Sequence, residues 1–323
     1  MPERAPIVIR DIAVPKGGQS SETYLLELLI GDAGDTASWV LRVEPRDHQV
    51  YEDPSVERQF RMAETISAHS ALPVPRPIRF EVDEAWIGAP FFVMERAAGE
   101  TPPDAYHSEG VLFAASPAER ERLWYDSVVL LARLNALDPA LFGFLAYPPA
   151  ADHDGLTQEL ARWDSYRGWA HVPADPVLTR ARRWLDDHRP AAATHGVAWG
   201  DARLGNILMD GGRCVGMLDW ETASLGGAET DLGWWIFYDR LITEAAGVPR
   251  LEGIGDGPAT IAAWESAAGR KAQAMDWHIV FAGYRFAMIV ERASALARGE
   301  GKTVAQGQGG TNAATRLLEA LIR

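Results

Sequence analysis

Two short apolar runs, Ile207-Leu208-Met209 and Cys214-Val215-Gly216-Met217-Leu218, flank the turn-forming cluster Asp210-Gly211-Gly212, with Asn206 standing just before them and Asp219 just after. Apolar runs around such a turn form a β-hairpin. A hairpin returns the chain to where it began, so the side-chain oxygens of Asn206 and Asp219, thirteen positions apart, are brought close together. Asp201 projects into the same space from the entering loop, Trp199-Gly200-Asp201-Ala202-Arg203-Leu204-Gly205. Two carboxylates and a carboxamide suit a hard cation such as Mg²⁺, which takes oxygen ligands and keeps waters or substrate phosphates in its shell. The third oxygen group is left free to receive a proton.

A length of 323 residues suits one large domain or two unequal ones, and 47% hydrophobic with 24% charged residues is the balance of an ordinary folded chain. The formal charge of -14, uninterrupted by any Lys/Arg-rich run, repels polyanions, so nucleic acid is a poor partner. Cys214 is the only cysteine; it lies in an apolar run and reads as core rather than nucleophile. The start, Met1-Pro2-Glu3-Arg4, is charged and no apolar run reaches membrane-spanning length, so no membrane partner and a cytoplasmic location are expected.

Thr23–Ile30 and Trp39–Val43 are strand-forming runs about Gly31-Asp32-Ala33-Gly34-Asp35, a second hairpin. Before it lies Pro15-Lys16-Gly17-Gly18-Gln19-Ser20-Ser21, a loop whose backbone N–H groups and hydroxyls suit phosphate oxygens. Helical spacing over 55–69 follows Asp53-Pro54, and further strands are expected near Ile78–Val82 and Pro90–Glu95. Beyond a linker at Ala97–Pro103 the pattern turns helical, over 117–137, 156–170, 176–188, 228–245, 258–269 and 273–297, interrupted only by the Asn206–Asp219 hairpin. A β-rich lobe, 1–96, and a larger helical lobe, 97–323, are therefore expected, an α+β architecture with a ligand cleft at the boundary. Gly299-Glu300-Gly301-Lys302-Thr303 ends like a phosphate-binding P-loop, but the first glycine of that motif would fall on Leu296 and a helix, not a strand, precedes it.

The order of Gly-rich loop, strand with a basic residue, helix, linker, Asp201-x-x-x-x-Asn206 and Asp219 after a hairpin matches the parts list of phosphoryl transfer. It resembles the aminoglycoside phosphotransferase/choline kinase family, which has a protein-kinase-like two-lobe fold. Arg203-Leu204-Gly205-Asn206 and Asp231-Leu232-Gly233-Trp234-Trp235 are similar to the branch related to the phosphotransferase domain fused to some acyl-CoA dehydrogenases. The resemblance covers nearly the whole chain. It implies Asp201 as the catalytic-loop aspartate, Asn206 as a metal-binding asparagine, and Asp219 as the aspartate bridging Mg²⁺ and the phosphates of ATP or another nucleoside triphosphate. An alcohol is too weak an acid to be ionised beforehand, so Asp201 would orient the acceptor hydroxyl and take its proton as the bond to phosphorus forms.

Four departures stand out. Trp199 replaces the usual His before Gly200-Asp201, where an aromatic could brace the loop by packing. The lysines are Lys16, Lys271 and Lys302 alone, so Arg42 takes the phosphate-binding place on the third strand; it keeps the charge and binds phosphate bidentately. On the first helix Gln59 falls near the expected partner glutamate, with Glu57 and Glu64 as substitutes. The Gly-rich loop lacks the full kinase pattern and leaves Gly18, Ser20 and Ser21 to contact nucleotide.

The resemblance also places adenine against backbone near Glu95 and Arg96, and leaves Glu221 beside the metal shell or in a structural hydrogen bond. Capping is the simplest role for Asp231, and loop support is the role the family implies. Arg203 faces either an anionic group or an internal salt bridge. Trp163, Tyr166, Trp235, Trp277, Tyr284 and Arg285 are candidates to line the acceptor pocket. The implied activity is ATP- and Mg²⁺-dependent phosphorylation of a small-molecule hydroxyl, on a hydroxyacyl thioester or an amino-sugar or amino-alcohol. The alternative is a kinase-like nucleotide- or partner-binding module that has lost turnover. A protein kinase is disfavoured, because no Ala-Pro-Glu segment follows Asp219.

Overall fold

The computed structural model describes residues 7–15, 22–31, 34–47, 49–191, 195–299 and 312–323. Gly18, Ser20 and Ser21 lie outside them, as does most of the Gly-rich stretch before the last helix. Two compact units divide between Ala98 and Gly99.

The first unit is a five-stranded sheet with one helix. Its elements are β1 (Ile7–Ala13), β2 (Glu22–Ile30), β3 (Asp35–Val43), α1 (Val56–His69), β4 (Pro77–Glu81) and β5 (Phe91–Glu95), and the strand order is β1-β2-β3-β5-β4 with every pair antiparallel. The edge strand β1 was not among the expected strands. Its side chains are exposed throughout, so neither alternation nor burial marks it. Ser55 caps α1, its side chain accepting from the Arg58 N–H at 3.2 Å. The buried stripe of α1 is Val56, Gln59, Met62, Ala63 and Ile66. Phe60 packs near Phe80 of β4 and Phe92 of β5, with ring centroids 6.0 and 6.1 Å apart.

The second unit comprises α2 (Gly110–Ala114), α3 (Pro117–Asn135), α4 (Gly155–Trp169), α5 (Pro176–Asp187), the hairpin β6 (Ile207–Asp210) and β7 (Arg213–Met217), then α6 (Ala228–Ile242), α7 (Gly257–Ala268), α8 (Met275–Gly299) and α9 (Ala313–Leu321). The start of α3 is written in Ser116-Pro117-Ala118-Glu119: the Ser116 hydroxyl accepts from the Glu119 N–H while the Glu119 carboxylate accepts from the Ser116 N–H. At Gly233 helix α6 lies so close to α8 that a Cβ would sit 2.4 Å from the carbonyl oxygen of His278. Among the described residues no single helix is long and apolar enough to cross a membrane.

A buried charge lies inside this unit. Arg285, 0% exposed, pairs with Glu159 at 3.3 Å, and its guanidinium stacks against Trp163, Trp234 and Phe281. Trp163, Tyr166, Trp277, Tyr284 and Arg285, expected to line an acceptor pocket, are instead core, each no more than 3% exposed. Their size and apolar faces serve burial, which residue identity alone does not distinguish from ligand contact.

Candidate active site

The hairpin pairs Ile207 with Met217 and Asp210 with Arg213, and the Leu218 N–H donates to the Asn206 carbonyl at 2.9 Å. Asp219 thus follows directly on a residue bonded to Asn206. It takes a left-handed conformation, φ 63°, uncommon outside glycine and tolerated best by Asn and Asp. Such backbone strain concentrates at functional sites.

Asn206 points its amide nitrogen at Asp201, donating to the carbonyl at 2.9 Å and to Oδ2 at 2.7 Å. That leaves its amide oxygen as the end that can meet a cation. The Asp201 carboxylate also accepts from Arg203 Nε at 3.0 Å on Oδ2 and from the Trp234 indole at 2.7 Å on Oδ1. Arg203 in turn donates to Asp104 at 2.7 Å and lies over the ring of Tyr238, 5.1 Å from its centroid. Of the two roles expected for Arg203, the structure displays the internal salt bridge.

The loop carrying Asp201 is held from below by Asp231, which is fully buried in the first turn of α6. Its two carboxylate oxygens accept from the backbone N–H groups of Trp199 and Gly200, both at 2.8 Å, and from Asn135 at 2.8 Å. Asp231 therefore supports the loop; α6 begins at Ala228 behind Gly227, so Asp231 does not cap it. Burial pushes its carboxyl up to about 6, against the pull of those donors. Asn135 extends the network to α7 by accepting from the Trp264 indole at 3.2 Å. Gly200 is required here: its φ is 92°, and a Cβ would lie 2.1 Å from the Thr222 carbonyl oxygen.

Trp199 is completely buried, and its indole N–H donates to the carbonyls of Leu218 at 2.8 Å and Asp219 at 3.1 Å. It stacks obliquely on Trp220, 5.5 Å away. The residue in place of histidine thus ties the Asp201 loop to the Asp219 turn by hydrogen bonds as well as by packing. Glu221, two positions further on, is buried at 7% exposure.

The donor set fits Mg²⁺: the amide oxygen of Asn206 and the carboxylate of Asp219 are hard oxygen ligands placed by one hairpin. Among the described residues no group of three or more His, Cys, Asp or Glu side chains could hold a metal alone. A site of two protein ligands needs phosphate oxygens and water to complete it, as Mg²⁺ sites on nucleotides do.

Arg203, Leu204 and Gly205 border a small, half-open pocket together with Pro103, Asp104 and Tyr106 and with Trp235, Tyr238, Asp239 and Ile242 of α6. Of the expected acceptor residues only Trp235 lines it. Trp234, Asp104 and Asn135 were not anticipated. For Trp234 a signal existed: it stands three residues after Asp231, on the same helical face.

In the sheet unit Arg42 is the next-to-last residue of β3, opposite Thr23 of β2 and Phe92 of β5. Gln59 is 2% exposed, whereas Glu57 is on the outer face, paired with Arg61 at 3.9 Å, and Glu64 is exposed, so the inward position on α1 carries an amide, not a carboxylate. The N–H groups of Glu95 and Arg96, expected near adenine, are already used: they donate to the carbonyls of Arg76 and Ser38, both at 2.9 Å. The Glu95 carboxylate pairs with Arg76, and Arg96 with Glu27 at 3.0 Å. Both side chains are tied within the sheet.

Residues 11–269 match the model of the phosphotransferase enzyme family. The curated relatives include the Arabidopsis thaliana protein named Probable acyl-CoA dehydrogenase IBR3, 25% identical over 84% of this chain and 34% of its own length. They also include human Acyl-CoA dehydrogenase family member 11, 26% identical over 75% of this chain and 31% of its own. The chain thus spans about a third of the length of these relatives. Among solved structures, a Ralstonia eutropha protein classed with the aminoglycoside phosphotransferases aligns over 99% of this chain and 93% of its own at TM-score 0.72 and 21% identity. The aminoglycoside phosphotransferase APH(4)-Ia, solved with ADP and hygromycin B, aligns over 97% and 94% at TM-score 0.60 and 13% identity. The fold is protein-kinase-like α+β, and the chain belongs to the phosphotransferase enzyme family.

Proposed function

We propose that the enzyme transfers the γ-phosphoryl group of ATP, or of another nucleoside triphosphate, to a hydroxyl of a small molecule, with Asp201 as general base and Asn206 and Asp219 as holders of Mg²⁺. One observation carries this reading: Asn206 bonds the Asp201 carboxylate through its amide nitrogen, at 2.7 Å, which turns its oxygen toward a cation and fixes the base in the same stroke. Bound Mg²⁺ would supply charge neutralisation of the triphosphate. Asp201 orients the acceptor hydroxyl; as its oxygen bonds to the γ-phosphorus and the bond to the β-phosphate oxygen breaks, the proton passes to Asp201. The complex of APH(4)-Ia with ADP supports a nucleotide donor.

For the acceptor we favour a hydroxyacyl thioester over an amino-sugar or amino-alcohol. Support comes from relatives named as acyl-CoA dehydrogenases, of which this chain matches only a part. Purified protein with ATP and Mg²⁺ should phosphorylate members of a hydroxyacyl-CoA panel and leave amino-sugars and amino-alcohols unmodified. The reverse pattern would sink the thioester acceptor and leave the base assignment standing. No turnover on any acceptor, with nucleotide still bound, would favour a binding module.

A further inference from the structure

Helix α6 reaches the reacting carboxylate as well as the loop beneath it. Trp234 is 4% exposed, and its indole N–H donates to Oδ1 of Asp201 at 2.7 Å. Oδ2 already accepts from Arg203 at 3.0 Å and Asn206 at 2.7 Å. A carboxylate offers about four lone-pair directions. Described residues therefore fill both on Oδ2 and one on Oδ1, which leaves a single open direction, on the oxygen that Trp234 holds.

The indole itself is fixed from behind. The Arg285 guanidinium lies 4.5 Å from its ring centroid, anchored by Glu159 at 3.3 Å, and the Phe286 ring packs at 5.4 Å. A cation over an indole face is attracted to the ring and withdraws density from it, which makes the N–H a stronger donor. Asp231, three residues earlier on the same helix, fixes the backbone of Trp199 and Gly200. One turn of α6 thus sets both where the Asp201 main chain runs and how its carboxylate is rotated.

We propose that Trp234 is a positioning residue of the transfer reaction, which selects Oδ1 of Asp201 as the atom that receives the acceptor proton. The proposal rests on Asp201 as the base. It differs from a packing role in one respect: removing the N–H alone should free the carboxylate to rotate, so that turnover falls while ATP binding does not.

The test has two arms. In ¹⁵N-indole-labelled protein, the resonance lost in Trp234→Phe should be the one that moves upfield in Asp201→Asn, where a neutral amide replaces the carboxylate. If Trp234→Phe does not fold, the comparison of wild type with Asp201→Asn still shows whether one indole responds far more than the rest. In the second arm, ADP release from Mg-ATP with 3-hydroxybutyryl-CoA as acceptor should show kcat about 30-fold lower in Trp234→Phe and KM for ATP within about twofold. Absence of a responsive indole would overturn the proposal, and so would an unchanged kcat in Trp234→Phe. A wild-type protein that turns over neither this acceptor nor water, yet shows the responsive indole, would refute the assigned reaction and leave Trp234 a structural donor only.

Discussion

Arg42 and Asp201 are placed in the molecule by different means. Arg42 sits on a central strand, where the pairing of β3 with β2 and β5 fixes its backbone whatever its side chain does. Asp201 sits on a loop with no ladder to hold it; Asp231 fixes the backbone just before it, and Asn206, Arg203 and Trp234 fix its carboxylate. The backbone of a strand residue is held by its ladder rather than by side chains. A loop residue held by side chains depends on each of them.

If that contrast holds, the largest effect among residues that touch no substrate should come from Asp231. Asp231→Asn leaves one oxygen to serve N–H donors that now meet two, and turns an amide N–H toward another donor. It should lower stability by about 3 kcal/mol and turnover by at least tenfold, measured by urea denaturation and ADP release. A loss below about 1 kcal/mol would mean the loop holds itself.

The helical unit buries a second titratable group, His278, at 1% exposure; burial pulls its pKa down to about 4. A depressed folded pKa means the stability is present above the unfolded value near 6.5 and is lost as pH falls toward 4. Between pH 7 and 5 this residue alone should cost about 2 kcal/mol, so His278→Gln should be less sensitive to acid by that amount in paired denaturation curves. Asp231, shifted upward, acts in the opposite sense in the same window, and the difference between wild type and variant isolates His278 from it.

On the strand side, Arg42→Ala should raise KM for ATP about tenfold while stability stays within about 0.5 kcal/mol, and Arg42→Lys should recover most of the loss. A large fall in stability would place Arg42 with the structural residues. The smallest effect is expected at Trp199→Phe, which keeps a ring but removes the N–H that reaches Leu218 and Asp219: about 1 kcal/mol of stability and a fewfold loss of turnover.

What could be read from the sequence divides along the same line. The hairpin between Asn206 and Asp219, the α3 cap at Ser116–Glu119 and the change from strands to helices near residue 98 are all local patterns, visible because neighbours in sequence determine them. Of the contacts that orient Asp201, those from Arg203 and Asn206 are local, but the one from Trp234 comes from thirty-three positions away, and Arg203 is itself steered by Asp104, ninety-nine positions earlier. Aromatic identity pointed equally at Trp163, Tyr284 and Trp235 as pocket residues, and burial does not separate them, at 3%, 0% and 4% exposure; only the path of the chain, which sets Trp235 against the pocket and the other two against the core, does. The edge strand β1 escaped for the converse reason, since an exposed apolar strand shows no periodicity.

We propose a division of labour within one loop and hairpin, with Asp201 as base and Asn206 and Asp219 as metal holders. Thermal shift by ATP with and without Mg²⁺, combined with ADP release, tests it directly in wild type, Asp201→Asn and Asp219→Asn. Asp201→Asn should keep the Mg²⁺-dependent shift and lose about a thousandfold in turnover, while Asp219→Asn loses the metal dependence itself. Turnover undiminished in Asp201→Asn, or an ATP shift in wild type indifferent to Mg²⁺, would contradict it.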